Sequence, residues 1–312
     1  VATTTPRIVV VGSANVDLTS FSDRLPRAGE TIFGDRFDLG WGGKGANQAA
    51  AARLCGAGVA MVARVGNDLF GPAIIANLAA QGIDTSHVRM LDGVSSGVAP
   101  IFVEPDGQNR IIVIKGANDR LTPADVDEAA PLLEQADGIV VQFEIPIETV
   151  YHTIAFANRR RIRCLVNPAP ARPIDIAAVA GASYFVPNES EAEVITGRPV
   201  QSLDDARACA RALLDAGLPR VIVTVGDKGA LLAGPAGIEL IPGFPVATVD
   251  SSGAGDAFVG SLAVFLAEGL EEREAIRRAN LYAALSTTSV GTQKSFVTRQ
   301  QLQNHARYTN EM

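Results

Sequence analysis

The sequence predicts an α/β fold: a mostly parallel central sheet flanked by helices, with a small antiparallel β flap. Three observations predict it. Short, continuous apolar runs recur along the chain, as strands buried on both faces require. Stretches of helical period separate them, which is the alternation of a parallel sheet wound through helical crossovers. Two further segments alternate apolar with polar residues, the pattern of antiparallel strands with one solvated face.

Residues 7–11, 59–65, 138–141, 163–166, 184–186 and 220–225 read as the buried strands. Residues 46–55, 71–81, 147–159 and 203–216 read as helices between them. The alternating segments are 30–39 and 98–114, the second turning at Pro105-Asp106-Gly107, so the flap (or lid) is expected from about 14–40 and 96–118. From Ala254 to Tyr308 the chain reads as mainly helical, the charges of Glu271 to Arg278 forming a solvated face. No repeat, low-complexity stretch or long linker interrupts it, and residues 1–312 are expected to form one α/β domain.

With 312 residues, 47% of them hydrophobic, the chain can bury a full core. Its net charge of -7 provides no global positive field for nucleic acid or an anionic membrane, and neither partner is expected. A polyanionic ligand would need local backbone donors and a metal. No apolar run approaches the ~20 residues of a membrane helix, and the opening VATTTPRIVVVGS reads as entry into a buried strand, not as a secretory leader. Cys55, Cys164 and Cys209 are odd in number and unpaired in spacing, as in a reduced cytoplasmic chain, where the sequon Asn188-Glu189-Ser190 means nothing. His87, His152 and His305 are scattered, so no histidine-built metal site is expected.

The chemistry concentrates in a few stretches. In Asp250-Ser251-Ser252-Gly253-Ala254-Gly255-Asp256-Ala257-Phe258, an apolar strand end at 245–249 meets a small-residue turn and then an apolar helix. Such a turn converges unpaired N–H groups at a helix N-terminus, an anion site, with Asp256 in the same first turn. Asp256 as a plain helix cap is the bland alternative. Gly40-Trp41-Gly42-Gly43-Lys44-Gly45 satisfies G-x-G-x-x-G, the dinucleotide fingerprint. The strand before it alternates like an exposed one, however, and no acidic residue ends the next strand. Nor is it a P-loop, since Gly45 follows Lys44 where Ser or Thr is required.

Asn15-Val16-Asp17 and Gln142-Phe143-Glu144 each follow an apolar strand, where open α/β sheets bind ligands and where turn or cap residues also collect. Pro187-Asn188-Glu189-Ser190-Glu191 opens a helix with acidic residues that the dipole alone would favour. Thr224-Val225-Gly226-Asp227-Lys228-Gly229 ends a strand and turns. Thr288 to Ser295 has no local motif of its own.

Taken together and in order from Gly12 to Ser295, these stretches resemble the ribokinase-like carbohydrate kinase family. The resemblance rests on two signatures, Gly43-Lys44-Gly45-Ala46-Asn47-Gln48-Ala49 and Gly253-Ala254-Gly255-Asp256. Asn15-x-Asp17, Gln142-x-Glu144-x-Pro146, Asn167-Pro168-Ala169-Pro170-Ala171 and Pro187-Asn188-Glu189 stand in register with them. It implies a ribokinase-like fold and transfer of the γ-phosphoryl group of ATP to the 5-hydroxyl of D-ribose. Fructose, deoxyribose or a nucleoside are the other acceptors, and an NAD(P)-dependent oxidoreductase is the alternative of a different class.

By resemblance Asp256 is the general base, and Gly253, Ala254 and Gly255 form an anion hole. Asn15, Asp17, Gly43, Lys44, Asn47 and Glu144 bind the sugar, while Asn188, Thr224, Gly226, Gly255 and Asn280 bind ATP. Glu191 acts on Mg²⁺ through water. Asp250, Ser252, Ser286, Ser289, Gly291 and Ser295 hold K⁺. Ser251 and Ser252 stand where many members carry Thr, and Lys294 replaces the usual Pro, bringing an ammonium near the implied K⁺ site. Trp41 either shapes the sugar pocket or packs beneath the flap. A homodimer through the flap would cover its outer edge.

Overall fold

The computed structural model describes residues 5–105 and 108–305. The strands are β1 (Arg7–Val11), β2 (Asn15–Phe21), β3 (Arg36–Gly42), β4 (Gly58–Gly66), β5 (Ile83–Leu91), β6 (Gly97–Val103), β7 (Asn109–Ile111), β8 (Gly138–Gln142), β9 (Cys164–Asn167), β10 (Tyr184–Phe185), β11 (Val221–Thr224), β12 (Gly229–Gly234) and β13 (Gly237–Pro242). The α-helices are α1 (Lys44–Leu54), α2 (Gly71–Ala80), α3 (Pro123–Glu128), α4 (Ala130–Leu133), α5 (Ile147–Arg160), α6 (Ile176–Val179), α7 (Glu189–Thr196), α8 (Leu203–Asp215), α9 (Ala254–Ala267), α10 (Glu272–Ser286) and α11 (Arg299–Asn304).

Nine strands form the main sheet in the order β13-β12-β11-β10-β9-β8-β1-β4-β5. Every pair from β11 to β5 is parallel, and only the β11–β12–β13 edge runs antiparallel. Alternate residues of one strand feed different cores, which is why these strands read as unbroken apolar runs. Ile8 and Val10 pack with α1, α2, α9 and α10, whereas Val9 and Val11 pack with α3, α5 and α8. Cys55 lies in the first core, Cys164 and Cys209 in the second, all buried and unbridged. No helix among the described residues is long and apolar enough to cross a membrane.

The smaller sheet has the order β3-β2-β6-β7. Its outer pairs are antiparallel, while the central pair β2–β6 is parallel. β2 was not apparent from its sequence, because Asn15 and Asp17 punctuate it as a turn would. The expected strand at 30–39 starts only at Arg36. At the hairpin turn, Asp106 and Gly107 lie outside the described residues. Trp41 pairs in register with Val16 and packs half-buried against the first core, beneath the lid.

Three strands were hidden by composition: β5 is a polar edge strand, and β12 and β13 begin at glycines. Conversely, residues 245–249 form no strand but an extended approach to α9, held by bonds from the Val249 and Asp250 amides to the Thr287 carbonyl. Gly40 and Gly42 lie on lid strand β3 and Gly45 inside α1, so the G-x-G-x-x-G match has no main-sheet strand ahead of it.

Helix α1 lies directly on α9. The run Ala49 to Ala52 is fully buried against it, and a side chain on Gly260 would begin 2.8 Å from the Ala51 Cβ and against the Gln48 carbonyl. Gly260→Leu must push the helices apart and is expected to lower stability by about 2 kcal/mol or more. Urea unfolding checks this; an unchanged midpoint would contradict the close contact.

Candidate active site

The carboxyl ends of β1, β8, β9, β10 and β11 lie along one rim of the sheet, where α/β folds bind ligands. At this rim the N-termini of α1, α7 and α9 converge. Gly253 caps α9 at φ 77°, a left-handed conformation that favours glycine. Of the three residues expected to form an anion hole, Ala254 already donates its amide to the Ser251 carbonyl, at 3.2 Å. At Gly255 a side chain would meet nothing within 4 Å, so its backbone faces open space.

Two cavities meet here. The larger, of about 670 Å³, is lined by Asn188, Thr224, Gly226, Gly255, Phe244 and Asn280 among others. The smaller, of about 160 Å³, is lined by Lys44, Glu191, Gly253, Gly255 and Asp256, and shares Asn188, Thr224 and Gly255 with its neighbour. Asn280 is held in the large cavity's wall by bonds to the carbonyls of Ile241 and Pro242.

Asp256 is buried, and both of its oxygens accept amides from α1. Asn47 Nδ2 reaches Oδ2 at 2.9 Å and Gln48 Nε2 reaches Oδ1 at 2.9 Å. Glu144 accepts from the Ser13 hydroxyl at 2.6 Å and from the Lys44 amide at 3.0 Å, which fixes it to the start of α1. Asn15 is buried and engaged by Asn118, whose Nδ2 donates to its Oδ1 at 2.7 Å while its own Oδ1 accepts from the Ala14 amide. The chain passes Gly43 at φ 86°, where a side chain would run into the Ala14 and Asn15 backbone. At Gly42 a side chain would strike the Asp17 carboxylate.

The charges are coupled. Burial, with the nearby Glu144 and Asp256 carboxylates, pushes the Asp17 carboxyl up to about 6. Burial alone would lower the Lys44 ammonium, but Asp256, Glu144 and Glu191 together outweigh it and hold it above its ordinary value. Burial also raises Glu191, against the opposing pull of the Asn188 amide and Lys44. Glu191 forms a reciprocal cap with Asn188, each accepting the other's backbone amide at 2.8 Å.

The residues assigned to a monovalent cation gather behind Gly253. The Asp250 carboxylate accepts the Ser252 amide and the Gly291 amide, each at 2.9 Å, and so ties the two loops together. Burial opposes its ionisation, but these bonds prevail and hold it below the ordinary carboxylate range. Ser286 and Ser295 are buried with their hydroxyls turned to the Ala283 and Thr292 carbonyls, which leaves backbone oxygen as the ligand type; Ser289 is exposed. Carboxylate plus carbonyl oxygens suit a hard cation. The Lys294 ammonium is drawn to Asp38 on β3 at 3.3 Å, so its charge is neutralised at the lid.

Sequence reasoning missed Ser13, Asn118 and Gln293. Gln293 donates to Asn47 Oδ1 at 3.0 Å. None of the three stands in a motif, and each acts by orienting a residue distant in the chain.

Because the folded-state value of Asp17 lies above that of an unfolded aspartate, its ionisation costs stability as pH rises from about 4 through 6. Asp17→Asn is therefore expected to stabilise the unliganded protein at pH 7, by on the order of 2 kcal/mol, and to change little at pH 4. Thermal melts at the two pH values check this; equal shifts at both would contradict the coupling.

The chain matches the pfkB family carbohydrate kinase over residues 5–299. It is 44% identical to the deoxyribokinase of Salmonella typhi over 299 residues, 96% of this chain and 98% of the relative. It is 41% identical to the ribokinase of Bacillus subtilis, over 95% of this chain and 98% of the relative. The structure of Arabidopsis thaliana ribokinase complexed with ribose and ATP superposes with a TM-score of 0.89 at 29% identity, covering 96% of this chain and 98% of that one.

Proposed function

The chain belongs to the pfkB family of carbohydrate kinases, and from that premise we propose that it phosphorylates the 5-hydroxyl of D-ribose with ATP, Asp256 being the general base. That it is a phosphotransferase acting on a sugar hydroxyl follows from the family and from relatives matched over nearly their whole length. One observation carries the finer reading. The Asp256 carboxylate stands in the small cavity beside the open backbone of Gly255, where that cavity joins the larger one.

ATP would occupy the larger cavity, its phosphates reaching Asn188, Thr224, Gly226 and the N-terminus of α9. The acceptor would lie between the lid and Asp256, gripped by Asn15, Asp17, Gly43, Lys44, Asn47 and Glu144. Asp256 takes the proton of the attacking hydroxyl as the new bond to phosphorus forms. The amides of Gly253 and Gly255 and the Lys44 ammonium meet the charge on the phosphoryl oxygens. Lid closure excludes water and suppresses ATP hydrolysis.

No group of three or more metal-ligating side chains occurs among the described residues, which fits Mg²⁺ carried on the phosphates with Glu191 reached through water. Bound there, Mg²⁺ would neutralise phosphate charge. K⁺ would be held by Asp250 and by the carbonyls of Ser252, Ser286, Ser289, Gly291 and Ser295, and it would steady the loop before α9. The apolar residues Phe33, Phe37, Leu39, Ile111 and Ile112, all exposed on or beside the lid, support a homodimer through it. The buried, unbridged cysteines support a reducing, cytoplasmic setting.

A second reading has 2-deoxyribose as the acceptor, favoured by the 44% identity to the Salmonella typhi deoxyribokinase. Coupled ADP release with ribose, 2-deoxyribose, fructose and nucleosides decides between them. A higher kcat/KM for ribose is expected; a preference for deoxyribose replaces the substrate and leaves the chemistry intact. Asp256→Asn is expected to lose about 10²–10⁴-fold in kcat, and retention of more than half the wild-type rate would exclude its role as base. Replacing K⁺ by Na⁺ or Tris should reduce activity; equal rates in all three buffers would remove the cation from the mechanism.

A further inference from the structure

The two amides on Asp256 are not interchangeable with their flipped forms. A primary amide can present either oxygen or nitrogen, so something must fix its direction. For Gln48 the direction is fixed from a group that can only accept. The Val186 carbonyl takes Asn167 Nδ2 at 2.9 Å, which turns Asn167 Oδ1 onto Gln48 Nε2 at 3.0 Å. From the other side Gln142 Nε2 donates to Gln48 Oε1 at 2.7 Å. Gln48 is thus held nitrogen-first toward Asp256.

The arrangement leaves a buried polar atom unpaired. Gln142 Oε1 has no hydrogen-bond partner among the described residues, and Gly12 carries no side chain where one would press on that oxygen. Turning Gln142 over would set its oxygen against Gln48 Oε1. Native cores rarely leave a carbonyl so placed without a reason. Among the described residues, Asp17 from β2 and Glu191 from α7 face Asp256 with like charge and Lys44 from α1 with opposite charge. Asp17, with Glu144 close by, receives no side-chain or backbone donor among the described residues. Asp256 receives two.

We propose that Gln48 is a positioning residue for phosphoryl transfer: its donated N–H fixes the plane of the Asp256 carboxylate at the head of α9. This rests on the reading of Asp256 as the base. Hydrogen bonds to a charged form favour that form, and each oxygen of the carboxylate accepts one amide.

The test is steady-state kinetics of Gln48→Met, which keeps the side-chain volume and removes the donor, alone and combined with Asp256→Asn. Alone, it should lower kcat about 10- to 100-fold, leave the sugar KM within about twofold, and move the acid limb of the kcat profile to higher pH. On the Asp256→Asn background it should cost nothing further. A kcat within twofold of wild type with an unmoved acid limb overturns the inference, as does an equal loss on both backgrounds. If Asp256→Asn itself keeps the wild-type kcat, the base reading falls and this one with it. Should Gln48→Met not fold, Gln142→Leu takes its place, since it removes only the group that orients Gln48; about a tenfold fall in kcat with the same pH shift is then expected, and an unchanged profile overturns the inference.

Discussion

Gly260 carries no side chain because helix α1 occupies the space where one would begin. The alanine run of α1 and this one glycine of α9 let two helix backbones approach closely on the face of the sheet. Everything chemical at the rim follows from that approach. It sets Asn47 and Gln48, in the first turns of α1, within hydrogen-bond reach of Asp256 in the first turn of α9. It also brings Lys44, at the head of α1, into the cavity that Asp256 lines. A larger residue at the contact would dilate the site before it disturbed the sheet.

The second constraint is electrostatic. A chain of net charge -7 gathers Glu144, Glu191 and Asp256 around the Lys44 ammonium, with Asp17 facing Glu144 and Asp256. Such a site does not attract a nucleotide by bulk charge. A nucleotide bound there would depend on oriented backbone amides, on the dipoles of α7 and α9, and on any cations that accompany the phosphates. Burial among like charges raises the Asp17 carboxyl, which accepts no hydrogen bond among the described residues.

Much of the fold could be read before any coordinates. Strands β1, β4, β8, β9 and β11 announce themselves because both faces are buried, and helices α1, α2, α5 and α8 fall within a few residues of their observed bounds. Other strands were illegible: β5 because it is a polar edge strand, β2 because Asn15 and Asp17 interrupt its pattern, and the β12–β13 hairpin because its glycines read as turns. At the site, residues in contiguous motifs were visible, and Asn47 and Asp256 do meet. Those that orient them were not, since Asn118 is linked to Asn15, and Gln293 to Asn47, only by the folded chain. Lys294, which stands where the resemblance has Pro, was read as an ammonium beside the implied K⁺ site; it pairs with Asp38 on β3.

The parallel pairing of β2 with β6 has a consequence for how the protein assembles and comes apart. Asn15 meets Gly97 only after β4, α2 and β5 have been laid down between them, so the two local pairs β2–β3 and β6–β7 cannot join without long-range closure. Its loop-closure entropy is offset only once the body supplies a scaffold, and contacts of such sequence separation form late. The lid's outer strands β3 and β7 are largely exposed, so by the same reasoning the lid is expected to open in denaturant before the main sheet does.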